Sequence, residues 1–267
     1  MSKVVLITGA SSGIGLSIAN FLLEKGFVVF GTSRSTKKEA KYAFNLIVLD
    51  VLNVETIQEA VSFIIKKEGK LDVLVNNAGM GITGPIEDTP TDEMRKVFDT
   101  NLFGAIDVMK AVLPQMRKQN NGKIINVTSI AGYMGLPFRG IYSATKGALE
   151  LVTEATRMEV KSFGIDIVNV APGDFATNIA AGRYHTPVFE DSAYKKVYEE
   201  NLALMDSHVT SGMDPIEMAK TVHKIIIAKS PKGHYKVGGF MEKFSIILKR
   251  VLSDKMYQKI LMNHYKM

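Results

Sequence analysis

The chain has 267 residues, of which 46% are hydrophobic and 22% charged, and it contains no cysteine. This composition is ordinary for a globular protein, and the lack of thiols excludes a disulfide scaffold, a cysteine-ligated metal centre and a thiol nucleophile. The net charge of +6 comes from the C-terminal end, because residues 223–267 hold ten Lys and Arg against two Asp and Glu. A nearly neutral body with one basic end does not indicate nucleic-acid binding. The N-terminal apolar run is too short for a secretory leader, and no uncharged stretch approaches the about 18 residues of a spanning helix, so we expect a cytoplasmic protein.

Apolar β-branched runs alternate with amphipathic segments of helical length from the first residues onward. The predicted strands are Val4–Thr8, Phe27–Thr32, Leu46–Asp50, Leu71–Asn76, Lys123–Ser129, Ile165–Val170 and a short one near His234–Gly238. The predicted helices between them include Gly15–Lys25, Val54–Glu68, Glu93–Gln119 and Ala144–Phe163. Most of the strands are continuous hydrophobic runs, which are typical of parallel strands buried on both faces. The pattern predicts one α/β domain with a doubly wound, seven-stranded, mainly parallel sheet.

Two segments depart from this alternation. Residues 174–215 are rich in aromatic and aliphatic positions but only weakly periodic. Long segments of this kind inside a compact domain are usually lids or binding elements, so we predict a lid over a substrate. Residues 239–267 have apolar positions at helical spacing and an N-cap signal at Ser253-Asp254, which predicts a helical extension after the last strand.

A glycine-rich turn, TGASSGIG at Thr8–Gly15, follows the first strand and opens the first helix. Glycines here let the backbone turn tightly and approach a pyrophosphate, which binds the free N–H groups of the helix start. A bare strand–helix turn is the plain alternative. The letters Gly9–Gly13 also fit the Gly-x-Ser-x-Gly turn of α/β-hydrolases, with Ser11 as nucleophile. That fold needs an oxyanion donor from a loop on an earlier strand, and only eight residues precede this turn, so we expect a nucleotide site.

The turn after the second strand is basic and carries no acid. An NAD site usually places Asp or Glu about 20 residues after the glycines, on the ribose 2′-hydroxyl. Here no acidic residue occurs between Glu24 and Glu39. The guanidinium of Arg34, with Lys37 and Lys38 nearby, would instead bind a 2′-phosphate, and the alternative is a solvated basic loop. The sequence therefore favours NADP(H).

One tyrosine of the nine has a lysine four residues further on, namely Tyr142 with Lys146. That spacing puts both side chains on one face of a helix. An ammonium about 4 Å away would lower the phenol pKa, ordinarily about 10, by up to about three units at an effective dielectric of 20. Tyr142 would then exchange a proton with an alcohol or carbonyl oxygen. Ser129 ends the fifth predicted strand, at the edge where open α/β sheets bind ligands.

In this order, the motifs resemble the ordinary branch of the short-chain dehydrogenase/reductase family over residues 3 to about 240. The matching motifs are TGASSGIG, LDV at 49–51, NNAG at 76–79, Asn101, Ser129, Tyr142-x-x-x-Lys146, and Pro172-Gly173 followed by Thr177. The resemblance implies that Tyr142 is the general acid/base and that Lys146 holds the nicotinamide ribose while lowering the phenol pKa. It also implies that Ser129 orients the substrate and that Asn101 supports a water-linked proton relay.

The same resemblance implies the residues of the nucleotide site. They are Thr8, Gly9, Ser11, Ser12, Gly13, Ile14, Gly15, Ser33, Arg34, Asp50, Val51, Asn77, Ala78, Gly79, Tyr142, Lys146, Pro172, Gly173 and Thr177. Residues 1–240 then form an NADP-binding Rossmann domain that includes the lid, and residues 241–267 form an amphipathic basic tail. No metal site is expected, because the five histidines are scattered without ligand spacing.

Within the family, the chain looks like the group of 17β-hydroxysteroid dehydrogenase type 1 and the retinol dehydrogenases. This likeness implies a large apolar alcohol or carbonyl substrate: a steroid, a retinoid or a long-chain lipid-like compound. Met80, Ile82, Met134, Leu136 and Phe138 are candidate lining residues, unless they pack in the core. A 3-oxoacyl reductase of the fatty-acid type and a non-catalytic NADP-binding regulator are the alternative functions.

The basic tail has apolar positions from Phe240 to Leu261 with Lys and Arg between them. Such a helix lies in a membrane interface, or it packs over the substrate mouth or a partner subunit with its lysines solvated. The family commonly forms dimers or tetramers through the helices that correspond to Glu93–Gln119 and Ala144–Phe163, so we expect a homo-oligomer.

Overall fold

The structure, a computed structural model, describes residues 2–35, 42–176, 182–210 and 212–267, with the backbone alone for 206–210. A seven-stranded sheet has the order β3-β2-β1-β4-β6-β7-β9, and every neighbouring pair of its strands is parallel. Its strands are β1 (Val4–Ile7), β2 (Val28–Ser33), β3 (Asn45–Val48), β4 (Val73–Asn76), β6 (Gly122–Val127), β7 (Ile165–Pro172) and β9 (His234–Val237). The predicted α/β fold and all seven predicted strands are confirmed, with shifts of one or two residues at their ends. The strands β5 (Ile82–Thr83) and β8 (Tyr184–His185) pair separately, in parallel.

Helices cover both faces of the sheet. They are α1 (Gly13–Glu24), α2 (Val54–Glu68), α3 (Thr91–Phe98), α4 (Gly104–Gln119), α5 (Gly140–Glu159), α6 (Lys195–Thr210), α7 (Ile216–Ile227), α8 (Phe240–Val251) and α9 (Asp254–His264). Strand β1 shows why two layers form, since Val5 and Ile7 join the hydrophobic cluster that contains α1 and α7 residues. Val4 and Leu6 point to the opposite cluster, with residues of α2 and α4. A strand that is apolar at every position needs cover on both sides.

The segment predicted as one helix, Glu93–Gln119, is divided. Helix α3 ends at Phe98, a π-helical turn covers Asp99–Phe103, and α4 begins at Gly104. The π turn contains Asn101, a residue with low helix propensity, and such turns occur frequently at functional sites.

The C-terminal extension consists of α8 and α9, and Ser253 caps α9 by accepting from the Met256 N–H. Their inner faces bury Ile246 and Tyr257 in a cluster with Ile130 and Met134. One face of the tail therefore packs on the body of the protein. Within the described residues, no helix combines the length and the apolar character needed to cross a bilayer.

The order of strands changes direction beside β1. The chain moves outward from β1 to β2 and β3, and then returns to place β4 on the other side of β1. Ligands of open α/β sheets bind at this switch point, outside the carboxyl ends of the strands.

Candidate active site

The glycine-rich turn lies at the switch point, between β1 and α1. Gly9 has a φ of +65°, a left-handed conformation that favours glycine. At Gly15 an added Cβ would overlap the carbonyl oxygen of Gly9 and the side-chain amide of Asn77. The turn is therefore built by backbone segments that approach more closely than side chains would permit.

Hydrogen bonds from the end of β4 hold this turn. The Asn77 side-chain amide donates to the carbonyl oxygens of Thr8 and Gly9, each at 3.0 Å. The Thr8 hydroxyl accepts from the backbone N–H groups of Asn77 and Ala78, at 2.9 and 3.0 Å. Thr8 and Asn77 thus act on the shape of the turn rather than as free polar groups, and the unpaired N–H groups of the first turn of α1 lie next to it.

The ends of β2 and β3 form a second wall. Ser33 and the exposed Arg34 line it beside β2, and Asp50 and Val51 follow β3. The Asp50 side chain accepts from the Leu52 N–H at 3.0 Å, which fixes the turn that precedes α2. Lys37 and Lys38 lie outside the described residues.

The predicted catalytic side chains meet across a short 3₁₀ turn and α5. Strand β6 ends at Val127, two residues earlier than predicted, and Ser129 is the N-cap of the 3₁₀ turn Ile130–Tyr133. Tyr142, on α5, lies close enough to the Ser129 side chain for Ser129 to act on the pKa of its phenol. Lys146 donates to the carbonyl oxygen of Val127 at 3.0 Å, and its Nζ lies 5.9 Å from the centre of the Tyr142 ring.

The 3₁₀ turn and α5 approach each other through two glycines. A Cβ built on Gly132 would lie 3.0 Å from the backbone nitrogen of Gly147, and one built on Gly147 would lie 3.0 Å from the Gly132 carbonyl oxygen. The N–H of Gly132 donates to the Ser129 carbonyl oxygen at 2.9 Å. This contact joins the element that carries Ser129 to the helix that carries Tyr142.

The electrostatics of the pair differ from the sequence-based expectation. Burial raises the pKa of the Tyr142 phenol above its ordinary value, although the nearby Ser129, Arg139 and Arg183 act to lower it. Burial lowers the pKa of Lys146 to about 8. The expected lowering of the phenol pKa by Lys146 is therefore wrong for the protein's own groups, because desolvation outweighs the attraction of the cations.

Asn101 is buried and is held by the loop that follows β4. Its side chain accepts from the Met80 N–H at 2.8 Å and donates to the Met80 carbonyl oxygen at 2.9 Å. It also donates to the Thr145 hydroxyl at 3.2 Å, beside Lys146. Both ends of the amide are engaged, so Asn101 joins the π turn, the loop after β4 and α5.

A cleft of about 420 Å³ runs along these groups. It is lined by Gly9, Ser11, Ser12, Gly13, Ile14, Ser33, Arg34, Leu49, Asp50, Val51, Leu52, Asn77, Ala78, Gly79, Met80, Thr100, Val127, Thr128, Tyr142, Lys146, Pro172 and Gly182. Most of the predicted nucleotide residues are thus brought together. Thr8, Gly15, Gly173, Ser129 and Asn101 support the wall without lining it, and Thr177 lies outside the described residues. The lining residues that the sequence analysis did not name are Leu52, Thr100, Val127, Thr128 and Gly182.

Glu150 is an organising residue that was not predicted. It is buried on α5, and its carboxylate accepts from Thr128 at 2.5 Å and from Asn169 at 2.8 Å. His234 lies 2.9 Å from the same carboxylate. Glu150 thereby ties α5 to the residue that follows β6, to the middle of β7 and to the first residue of β9. The signal in the sequence is its position, since it continues the four-residue spacing of Tyr142 and Lys146.

The five candidate residues for an apolar substrate lie in three different places. Ile82, Leu136 and Phe138 line a separate apolar cavity of about 220 Å³, together with Ile141 and Met267. Met80 lies instead in the larger cleft. Met134 is buried against the tail, where the Tyr257 hydroxyl lies 2.7 Å from its sulfur, so Met134 packs in the core.

The tail also reaches the neighbourhood of Tyr142. The Arg139 guanidinium donates to the Tyr265 hydroxyl at 2.7 Å, while its Nε is buried with no partner among the described residues. The Tyr265 carbonyl oxygen accepts from Asn201 of α6 at 3.0 Å. Arg139, which precedes α5, thus couples the last residues of the chain to the helix that carries Tyr142.

Known proteins are similar to this chain in sequence and in fold. The family model for short chain dehydrogenases matches residues 3–187. A 3-ketodihydrosphingosine reductase of Bacteroides thetaiotaomicron is 38% identical over 264 residues, which cover 98% of each chain. An NADPH-dependent 3-dehydrocapnine reductase of Ornithobacterium rhinotracheale is 31% identical and aligns with 97% of this chain and 95% of its own.

A solved structure of a short-chain dehydrogenase from Streptomyces avermitilis superposes with a TM-score of 0.82 at 29% identity, covering 100% of this chain and 96% of that one. The subgroup of hydroxysteroid and retinol dehydrogenases stays a prediction. The family itself rests on the match over residues 3–187 and on relatives aligned over nearly the whole length. The chain belongs to the short-chain dehydrogenase/reductase family.

Proposed function

We propose that the protein is an NADP(H)-dependent oxidoreductase that interconverts a secondary alcohol and a ketone or aldehyde on a large apolar substrate. The observation that carries this proposal is the meeting of Tyr142 and Lys146, with Ser129 behind them, at one cleft with the glycine-rich turn. A non-catalytic NADP-binding regulator would need the turn but has no use for a tyrosine placed beside a serine and a buried lysine.

The cleft fits a nicotinamide dinucleotide. The left-handed Gly9 and the close approach at Gly15 leave room for a pyrophosphate at the start of α1. Arg34 is exposed at the rim, and within the described residues it has no carboxylate partner, so its fork is available to a 2′-phosphate. The name of the Ornithobacterium relative, an NADPH-dependent reductase, supports the same cofactor.

The nicotinamide supplies or accepts the hydride when it is bound. During reduction, Tyr142 gives its phenolic proton to the substrate oxygen as that oxygen gains charge, and solvent later replaces the proton. Ser129 lies beside the Tyr142 phenol and orients the substrate oxygen toward it. Lys146 places a positive charge beside the phenolate that forms, held there by its bond to Val127. Oxidation of the alcohol runs through the same groups in reverse.

An apolar substrate is supported by the cavity lined by Ile82, Leu136, Phe138, Ile141 and Met267. It is also supported by the two relatives, which are named as reductases of 3-ketodihydrosphingosine and of 3-dehydrocapnine. Residues 174–215 act as the lid in this proposal. The Tyr198 hydroxyl donates to the Thr83 carbonyl oxygen at 2.9 Å, so the described part of this segment is fastened over the cavity wall.

We propose a cytoplasmic homo-oligomer, built through α4 and α5 as in the family. Large apolar side chains exposed on this side of the molecule, such as Phe103, Leu151 and Met158, support that interface. Contact of the C-terminal tail with a membrane surface would suit a lipid-like substrate.

The test compares Tyr142→Phe with the unchanged protein on a panel of carbonyl substrates. The panel holds 3-ketodihydrosphingosine, 3-dehydrocapnine, a steroid ketone, a retinal, a 3-oxoacyl thioester and a small polar ketone. We expect NADPH oxidation with one of the apolar members, reduced roughly 10²- to 10⁴-fold by Tyr142→Phe because the proton donor is lost. Affinity for NADPH should change by less than about twofold, since the phenol acts in the transition state.

Tyr133→Phe is the matched control, because the Tyr133 hydroxyl bonds Glu150 at 3.1 Å and does not contact Tyr142. Full activity of Tyr142→Phe would overturn the catalytic assignment. If the 3-oxoacyl thioester were the only substrate turned over, the proposed lipid-ketone substrate would be wrong and the fatty-acid alternative would be correct.

A further inference from the structure

Helix α8 carries apolar residues on two faces. Its inner face buries Ile246. On the outer side, Phe240, Phe244, Ile247 and Val251 follow one another at spacings of four, three and four residues, which places them on one face. We call these four residues the α8 ridge.

The α8 ridge is open to solvent. Phe240 is 74% exposed, Ile247 is 54% exposed and Val251 is 75% exposed. The rings of Phe240 and Phe244 stack on each other, with centroids 5.7 Å apart and planes 11° apart. A single exposed apolar residue is normal in a soluble protein, whereas a contiguous row indicates a contact surface.

The start of the ridge is fastened at the rim of the active-site cleft. The Glu242 carboxylate accepts from the Gly239 N–H at 2.5 Å and from the Asp174 N–H at 2.6 Å. Asp174 lies two residues after Pro172, which lines the cleft. The start of α8 is therefore bonded to a residue that follows the cleft wall, and the ridge does not hang on a loose terminus.

Positive charge surrounds the ridge. Lys243 and Arg250 are exposed on α8, and neither forms an ion pair within the described part of the chain. The two acids of residues 223–267 are already engaged, since Glu242 bonds the backbone and Asp254 pairs with Lys249 at 2.6 Å. Lys255 and Lys259 on α9 add further exposed cations.

An exposed apolar row flanked by unpaired positive charges suits one kind of binding partner. A second copy of the same helix would bring like charges together across a two-fold axis, and a nucleic acid would leave the apolar row in water. A bilayer with anionic headgroups takes up the apolar side chains and neutralises the cations. We propose that the α8 ridge, with Lys243 and Arg250, is a peripheral docking surface for an anionic lipid bilayer, which brings the rim of the active-site cleft to the membrane. The proposal deepens the proposed function and rests on it only for the apolar substrate.

Sedimentation of the full chain with lipid vesicles tests this surface without any turnover. One set of vesicles is pure phosphatidylcholine, and the other contains about one part in four of phosphatidylglycerol. We expect the protein to pellet with the anionic vesicles, to stay in solution with the neutral ones, and to be released at about 0.5 M salt, where charges are screened.

The double variant Ile247→Ser, Val251→Ser should lose at least about tenfold of its partition into anionic vesicles. The matched control is Ile227→Ser with Val54→Ser, because these residues are of the same types and are 59% and 52% exposed, but they lie away from α8. The control should bind as the unchanged protein does. Lys243→Glu with Arg250→Glu should abolish the preference for the anionic vesicles.

Three results would overturn the proposal. The first is that the protein does not pellet with anionic vesicles. The second is that the control variant loses as much vesicle binding as the ridge variant. The third is that the ridge variant binds vesicles as before but has a smaller particle mass in solution, measured by light scattering. The last result would mean that the ridge joins copies of the chain. NADPH oxidation by the same variants on a water-soluble substrate is a separate readout, so failure of the proposed reaction would be seen independently of vesicle binding.

Discussion

The nucleotide side, taken as the glycine-rich turn and the walls after β2, β3 and β4, comes from segments that precede Met80 and is held by bonds to backbone groups. The proposed substrate side, taken as the apolar cavity and the tail, is held by pairs of side chains far apart in the chain. On the first side, the Asn77 amide bonds the carbonyl oxygens of Thr8 and Gly9. On the second, Arg139 bonds the Tyr265 hydroxyl across 126 residues, and Thr83 bonds Tyr198 across 115.

The two sides should differ in how well they tolerate amino-acid substitutions. A site made by closely approaching backbone is disturbed by almost any added atom, so its ligand is fixed with the fold. A site made by side chains from a tail and a lid can be altered one residue at a time while the sheet stays intact. We therefore expect substrate preference to be separable from cofactor preference, and substitutions confined to one side test that expectation.

The largest effect is expected on the nucleotide side, from Arg34→Asp. Loss of the guanidinium and gain of a carboxylate should weaken NADPH binding roughly 10- to 100-fold, as for a lost hydrogen bond to a charged group, and should favour NADH. The KM for the carbonyl substrate should stay unchanged. Steady-state kinetics with both nucleotides measure this, and Arg95→Asp, an exposed arginine on α3, is the control. If the unchanged protein bound NADPH less than twofold more tightly than NADH, the choice of NADP would be contradicted.

The second prediction concerns the pH dependence of the reaction through Lys146, which lies between the two sides. Burial lowers its pKa to about 8, so its ammonium is charged below that pH and neutral above it. The phenol of Tyr142, whose pKa is raised by burial, keeps its proton over the same range. The rate of ketone reduction should therefore fall above pH 8, by up to about tenfold per pH unit, because the charge that stabilises the phenolate is lost.

A pH–rate profile measures this fall, and Lys146→Arg is its control, because a guanidinium stays charged across the range. Whatever activity that variant retains should not decline near pH 8. If the rate of the unchanged protein stayed constant up to pH 9.5, the charge of Lys146 would have no role in the reaction.

The smallest effect is expected on the substrate side, from Tyr265→Phe. It removes the acceptor of Arg139 and leaves a buried guanidinium donor unpaired, which should cost about 1–3 kcal/mol of stability. The KM for the carbonyl substrate should rise several-fold, with the KM for NADPH unchanged. Thermal unfolding and kinetics measure both, and Tyr235→Phe, whose hydroxyl bonds an exposed backbone N–H, is the control. An equal change in both KM values would mean that the two sides are not independent.

The sequence was sufficient for the sheet and for the nucleotide side because both depend on local patterns. The buried strands are continuous apolar runs, and the glycine turn occurs at a fixed place between β1 and α1. The π turn around Asn101 was not foreseen, because the amphipathic pattern runs through it from α3 into α4. Its cause is the bond between Asn101 and the Met80 backbone, a contact across 21 residues.

Burial explains the other differences. The attraction between Lys146 and Tyr142 can be estimated from their spacing, but the cost of desolvating both groups depends on the whole fold that surrounds them. Glu150 was overlooked for a related reason. A carboxylate on an amphipathic helix is usually solvated, and only the arrival of Thr128, Asn169 and His234 from separate strands makes it a buried junction.

The contact between Gly132 and Gly147 has a consequence for how the chemistry can vary. The 3₁₀ turn that carries Ser129 and the helix that carries Tyr142 touch through the main chain of these two glycines. The distance between the Ser129 hydroxyl and the Tyr142 phenol therefore does not depend on the size of a side chain at this contact. Homologous sequences could exchange many outward residues of α5 while the reactive oxygens keep their separation. One methyl group at either glycine would lie 3.0 Å from the facing main chain, so the turn that carries Ser129 or the helix that carries Tyr142 would have to shift, even though neither glycine touches a reactant.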